Sequence, residues 1–219
     1  LCAGFRLFLA VIRSVGSTYG EIAFGSFARL LLHHADARAA SGGVFVDLGS
    51  GTGRAVFAAR MLFDFGECRG IEYLRSLHGM ACTALQQFTT QSKLATVEAK
   101  SSSVAAAIGN STPSSTDAAA TDKSSASAVP DKLSANRVTL ICGDFLRVDW
   151  SDADVVFAHS TLFGKELVSK LAEHAAKLKT GARFITSTFP LNSRHFELSA
   201  CVRYQMAWGM ATFYVQTKV

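Results

Sequence analysis

Short apolar runs alternate with amphipathic ones over most of this chain. Val44-Phe45-Val46 leads into Asp47-Leu48 and halts at glycines, the pattern of a buried strand. Arg54–Phe63 then carries helix-favouring apolar residues. The alternation continues with a strand over Arg69–Glu72, a helix over Leu77–Gln91, and strands over Val138–Cys142 and Asp154–Ala158. Gly164–Leu178 predicts a helix, because Leu167, Leu171, Ala175 and Leu178 share one stripe and Gly181 supplies a stop. Ala182–Thr188 predicts a strand, and Val202–Met206 with Thr212–Thr217 an antiparallel pair around Trp208-Gly209. The reading is an α/β fold: a Rossmann-like, seven-stranded, mostly parallel sheet, with an antiparallel C-terminal hairpin and helices on both faces. Ligands of such sheets bind at the carboxyl ends of the strands. Asp47, Glu72, Asp144, His159 and Ser160 all fall there.

Two stretches stand outside this alternation. Residues 1–40 read as an N-terminal helical segment, apolar but interrupted by Arg6 and Arg13. Within residues 41–219, a low-complexity Ser/Thr/Ala segment at about 100–130 has too few large apolar side chains to offset its ordering entropy, and reads as a disordered insert. The five cysteines are scattered and never in C-x-x-C spacing, which points to reduced thiols and an intracellular protein, in nucleus, cytoplasm or mitochondrion. No apolar run is long enough to span a bilayer. The net charge of +5 is spread without long basic runs, so it gives no strong sign of direct DNA binding.

The turn V-F-V-D-L-G-S-G-T-G-R, residues 44–54, carries the chemistry. Glycines 49, 51 and 53 allow a tight turn into a helix whose first N–H groups are unpaired. A dinucleotide fingerprint requires a third glycine where Arg54 stands. The early Gly53 instead fits the pattern of enzymes that use S-adenosyl-L-methionine. Glu72, ending the second strand, can accept two ribose hydroxyls. Asp47 can accept from the donor's ammonium, Asp144 from the adenine amine, and Phe145 can lie against the ring. The alternatives are a turn cap for Asp144 and a plain polar strand end for Asp47.

Four further pieces occur in order: Tyr19-Gly20-Glu21, D-L-G-S-G-T-G at 47–53, G-D-F-L at 143–146 and V-V-F-A-H-S-T-L-F-G at 155–164. A Trp-Gly and aromatic strand closes the series. Together they resemble the disruptor-of-telomeric-silencing family of seven-stranded histone-lysine methyltransferases. The resemblance implies S-adenosyl-L-methionine as cofactor, no metal, and a protein substrate such as a histone or nucleosome. It implies that Tyr19 and Glu21 belong to a loop over donor and lysine channel, with Glu21 on the donor side, and that Tyr214 lines that channel. Where the family carries an Asn-Asn pair beside the reacting centre, this chain has His159-Ser160. A family of small mitochondrial-type lysine methyltransferases shares the glycine turn but not the Y-G-E and F-G pairing.

Methyl transfer from a sulfonium needs alignment more than acid–base chemistry. A lysine acceptor must be neutral, which costs about 4.6 kcal/mol at pH 7 from a reference pKa of about 10.4. An apolar channel can supply much of that by desolvation. Tyr19, Phe163, Trp208 and Tyr214 are candidates to line it, with core packing as the alternative. His159 is a candidate base by its reference pKa, the alternative being a strand-end histidine bonded to backbone. The expected function is therefore a protein-lysine methyltransferase. A methyltransferase of a non-histone protein or small molecule, or a non-catalytic donor-binding module suggested by Ser160, stays open beside it. No Asp/Asn-Pro-Pro-aromatic tetrapeptide, G-x-S-x-G elbow or phosphate-binding loop is present. His33-His34 lacks partners at metal spacing.

Overall fold

Strand β1, Val44–Leu48, is almost wholly buried because helices cover both of its faces. The computed structural model describes residues 22–35, 41–90, 133–135, 137–206 and 208–219. Its elements run α1 (Phe24–His34), β1, α2 (Arg54–Leu62), β2 (Glu67–Glu72), α3 (75–90), β3 (Leu133–Ala135) and β4 (Val138–Cys142). They continue with β5 (Val155–Ala158), a 3-10 turn (Ser160–Leu162), α4 (Lys165–Ala175), β6 (Arg183–Ser187), β7 (Phe196–Met206) and β8 (Gly209–Lys218). The sheet order is β3-β4-β2-β1-β5-β6-β8-β7. The central pairs are parallel, and β8 enters antiparallel between β6 and β7.

The expected seven strands are all present, and an eighth is added. β3 is a three-residue strand antiparallel to β4, with Arg137 at φ 66° in the connection. Leu-Ser-Ala carries no alternation long enough to announce it. The terminal hairpin is longer than its apolar core suggests, because β7 is an edge strand whose outward residues are polar or exposed. Helix α4 stops at Ala175, three residues before the end of its apolar stripe, and Leu178 is buried from a turn instead.

Two apolar layers sandwich the sheet. On one face Phe27 of α1 meets Phe157 at 5.1 Å and Phe45 at 6.3 Å between ring centroids, edge to face, in a cluster with Val56, Leu85, Ile185 and Phe213. On the other, Leu171 and Ala175 of α4 pack with Val46, Val156, Phe184 and Trp150. The amino ends of the strands are tied by polar groups. Asp154 Oδ2 accepts the Val44 N–H at 2.8 Å, and the Arg69 guanidinium bridges Glu67 and Asp152.

Gly70 lets β2 and the following layer approach each other. A Cβ there would lie 2.8 Å from Ser50 Oγ and 2.9 Å from Val56 Cγ2. Gly70→Ala is expected to cost about 1–3 kcal/mol by overpacking, with an unchanged urea m-value. Urea unfolding followed by circular dichroism measures this.

Candidate functional site

The chain leaves β1 through a turn in which Gly49, Gly51 and Gly53 have φ of 79°, 53° and 83°. These are left-handed conformations that side-chain-bearing residues adopt only at a cost. Gly53 is also crowded, since a Cβ would sit 2.9 Å from Phe57 Cε2. The turn is held to β2 at several points. Gly49 and Ser50 donate to the Ile71 carbonyl at 2.9 and 3.1 Å. The Glu72 carboxylate takes the Gly51 N–H on Oε2 at 2.7 Å and the Leu74 N–H on Oε1 at 2.8 Å. Each oxygen retains a lone pair for a ligand hydroxyl.

Asp47 and Glu72 occupy neighbouring parallel strands and point to the face covered by α1 and α2, as the register Asp47↔Gly70 requires. Both are buried. Burial, and after it the charge of Glu72, pushes the Asp47 carboxyl up to about 8. A cation beside Asp47 would favour its ionised form.

At the end of β4, Asp144 caps its own turn: Oδ1 accepts the Leu146 N–H at 2.9 Å, while Oδ2 is 3.9 Å from Arg147 Nε. Phe145 stacks on Phe163, with centroids 5.7 Å apart and planes at 26°. Phe163 reaches back to the glycine turn, its Cζ being 3.8 Å from where a Gly49 Cβ would lie. The ends of β4, β5 and β1 thus converge.

Beyond β5, His159 Nδ1 lies 2.9 Å from Ser187 Oγ at the end of β6. Its partner is a side chain rather than backbone. The imidazole packs against Trp208 of the β7–β8 turn, centroids 4.9 Å apart. Burial lowers the His159 pKa. Ser160 is 1% exposed, and its hydroxyl donates to the Ser187 carbonyl. Tyr214 pairs with Thr186 in register, which directs it to the face opposite Asp47 and Ser187. Tyr19 and Glu21 lie outside the described residues. Ser187 and Thr161 are the members that sequence reasoning missed. Their only sequence signal is a polar cluster ending an apolar strand. A pocket of about 530 Å³ lined by Arg60, Met61, Asp64, Phe88 and Arg137 shares no residue with this site. Among the described residues, no three His, Cys, Asp or Glu side chains group to hold a metal, and no helix is long and apolar enough to cross a membrane.

This architecture, with its glycine turn at the carboxyl end of β1, is the class I methyltransferase fold. The chain is similar to the O-methyltransferase from Bacillus cereus in complex with SAH, with TM-score 0.62 and 9% identity, covering 100% of this chain and 92% of that one. It is also similar to the RNA methyltransferase from Salinibacter ruber in complex with S-adenosyl-L-homocysteine, with TM-score 0.51 and 21% identity, over 88% and 89% of the two chains. For magnesium protoporphyrin IX methyltransferase from Synechocystis PCC 6803 with bound SAM, the TM-score is 0.55 and the identity 10%, over 100% and 85%. Residues 13–107 match the family model described as histone methylation protein DOT1. No curated protein matches the chain.

A carboxyl raised in the folded state is protonated there and ionised in the unfolded chain between the two pKa values. The folded state then binds the extra proton, and stability falls as pH rises through that window. Thermal melts of the wild type should lose stability between about pH 5 and pH 8, and Asp47→Asn should flatten that fall. An equal fall in both proteins would remove Asp47 as its source.

Proposed function

We propose that this protein is an S-adenosyl-L-methionine-dependent methyltransferase that methylates a protein lysine, with a histone lysine among its acceptors. One observation carries the donor half. Three left-handed glycines stand beside two buried carboxylates, Asp47 and Glu72, on adjoining strands of a methyltransferase fold. In this reading Asp47 takes the donor's ammonium and Glu72 the ribose hydroxyls with its remaining lone pairs. Asp144 takes the adenine amine, and Phe145, backed by Phe163, lies along the ring. The family resemblance assigns Glu21 to the donor as well. The match of residues 13–107 to the DOT1 model supports the lysine acceptor.

The protein's part in the reaction is alignment and exclusion of water. When bound, S-adenosyl-L-methionine would supply an activated methyl group, and these residues would align a neutral acceptor amine with it. His159 and Trp208 bound the acceptor side, to which the family resemblance also assigns Tyr19, and Ser160 holds the β5 and β6 ends together through the Ser187 carbonyl. We assign the aromatic wall to Trp208 in preference to Tyr214, which faces away.

Calorimetry should detect binding of S-adenosyl-L-methionine and of its demethylated product. Asp144→Ala and Glu72→Ala each remove charged acceptors worth about 1.5–3 kcal/mol, an expected loss of roughly 10- to 150-fold in affinity. Glu72→Ala should also lower the melting temperature, because Gly51 and Leu74 lose their acceptor. Tritiated-methyl transfer to nucleosomes, free histones and a cell lysate reads the acceptor. Label found on RNA or small molecules alone would sink the lysine assignment.

A further inference from the structure

The hydroxyl groups behind His159 form a chain with a direction. Thr188 Oγ1 donates to Thr161 Oγ1 at 3.2 Å. Thr161 Oγ1 lies 3.2 Å from Ser187 Oγ, which lies 2.9 Å from His159 Nδ1. Each hydroxyl has a single proton to give. With Thr188 donating to Thr161, the head-to-tail arrangement continues from Thr161 to Ser187 and from Ser187 to Nδ1. Successive bonds of one polarity strengthen one another. In the opposite arrangement Thr161 would accept twice, its own proton would leave the series, and Ser187 would have no proton for Nδ1.

The surrounding backbone is fixed to suit this chain. The Ser187 carbonyl accepts both the Ser160 hydroxyl and the Phe189 N–H. Thr188 adopts φ 69°, a left-handed conformation that is an outlier for a β-branched residue. Its N–H is pinned to the Thr212 carbonyl of β8 at 3.0 Å. A neutral imidazole that accepts on Nδ1 carries its proton on Nε2. Burial favours the neutral ring. Among the described residues, none is hydrogen-bonded to Nε2.

We propose that Ser187, Thr161 and Thr188 hold His159 as its Nε2–H tautomer, so that the imidazole donates a hydrogen bond to a carbonyl oxygen of the acceptor instead of acting as a base. This rests on the protein-lysine reading for the identity of the acceptor. The attacking amine must aim its lone pair at the methyl group, so an N–H donor to that nitrogen would oppose the reaction. The oxygen that fits is a peptide carbonyl flanking the lysine, with Trp208 against the ring limiting how it approaches. His159 then positions the acceptor backbone, and Ser187 is a positioning residue acting through it.

The test uses the full chain labelled with 15N-histidine, with His159 assigned from a His159→Gln difference spectrum. Long-range proton–nitrogen correlations at neutral pH should show an unprotonated Nδ1 and a protonated Nε2. Ser187→Ala should yield a tautomer mixture, and Ser187→Thr should keep the wild-type pattern. A protonated Nδ1 in the wild type, or an unchanged Ser187→Ala spectrum, would overturn the proposal. Should Ser187→Ala not fold, Thr188→Gly removes the first hydroxyl while relieving the positive φ, and an unchanged tautomer there overturns it equally. N-acetyl-lysine methylamide should shift the Nε2 resonance, whereas butylamine, an amine without a carbonyl, should not. A shift with butylamine alone contradicts the carbonyl assignment. Methyl transfer to histones, measured on the same sample, keeps the two readings apart. Transfer with the wrong tautomer refutes only this proposal, and the right tautomer without transfer refutes only the lysine reading.

Discussion

The site is organised around one carboxylate. Glu72 is buried at the end of β2 and takes backbone N–H groups from both sides, Gly51 from the glycine turn and Leu74 from its own strand's exit. A buried carboxylate without donors would be costly, and these two bonds remove most of that cost. They also make the turn a rigid extension of β2, so the left-handed glycines are held by a partner instead of merely allowed. The same carboxylate acts on its neighbour. With Glu72 charge nearby and little solvent, Asp47 keeps its proton until about pH 8. One acid is held by backbone N–H groups, and the other is kept protonated by burial and by its neighbour.

The parts of this arrangement legible in the sequence are those encoded locally. The five-residue run from Val44, the D-L-G-S-G-T-G turn and the stripe of Leu171 and Ala175 each announce themselves by period or by glycine spacing. Glu72 and Asp144 could be found because they end apolar strands. Other features depend on packing between distant segments. The Ser187–His159 bond spans 28 residues and joins two strand ends that only the sheet order makes adjacent. The facing of Tyr214 depends on register, and a strand's two faces alternate too finely for an aromatic-rich run to reveal it. β3 exists because β4 offers it an edge, not because Leu-Ser-Ala prefers to extend.

The candidate site residues fall on both sides of the end of the matched segment. The segment that matches the DOT1 model, residues 13–107, holds the glycine turn, Asp47 and Glu72. It ends before β4, so Asp144, His159, Ser187 and Trp208 lie beyond it. Fold likeness at 9–21% identity extends over the rest, shared with an RNA methyltransferase, an O-methyltransferase and a magnesium protoporphyrin IX methyltransferase. The ends of β5, β6 and the hairpin all lie outside that matched segment. Here those ends carry a hydroxyl-backed imidazole and an indole.

The position of β8 adds a constraint in time. It is the last strand of the sheet in sequence, yet it lies inside the sheet, between β6 and β7, and its turn with β7 brings Trp208 to His159. During synthesis, β1, β2, α2 and the glycine turn leave the ribosome first and make their mutual contacts locally. The strand that pins Thr188 and sets the indole emerges after every other strand of the sheet. A chain made only as far as β2 already holds the glycine turn with Asp47 and Glu72, whereas Asp144, His159 and Trp208 are still to come, so the parts of the candidate site are laid down far apart in time.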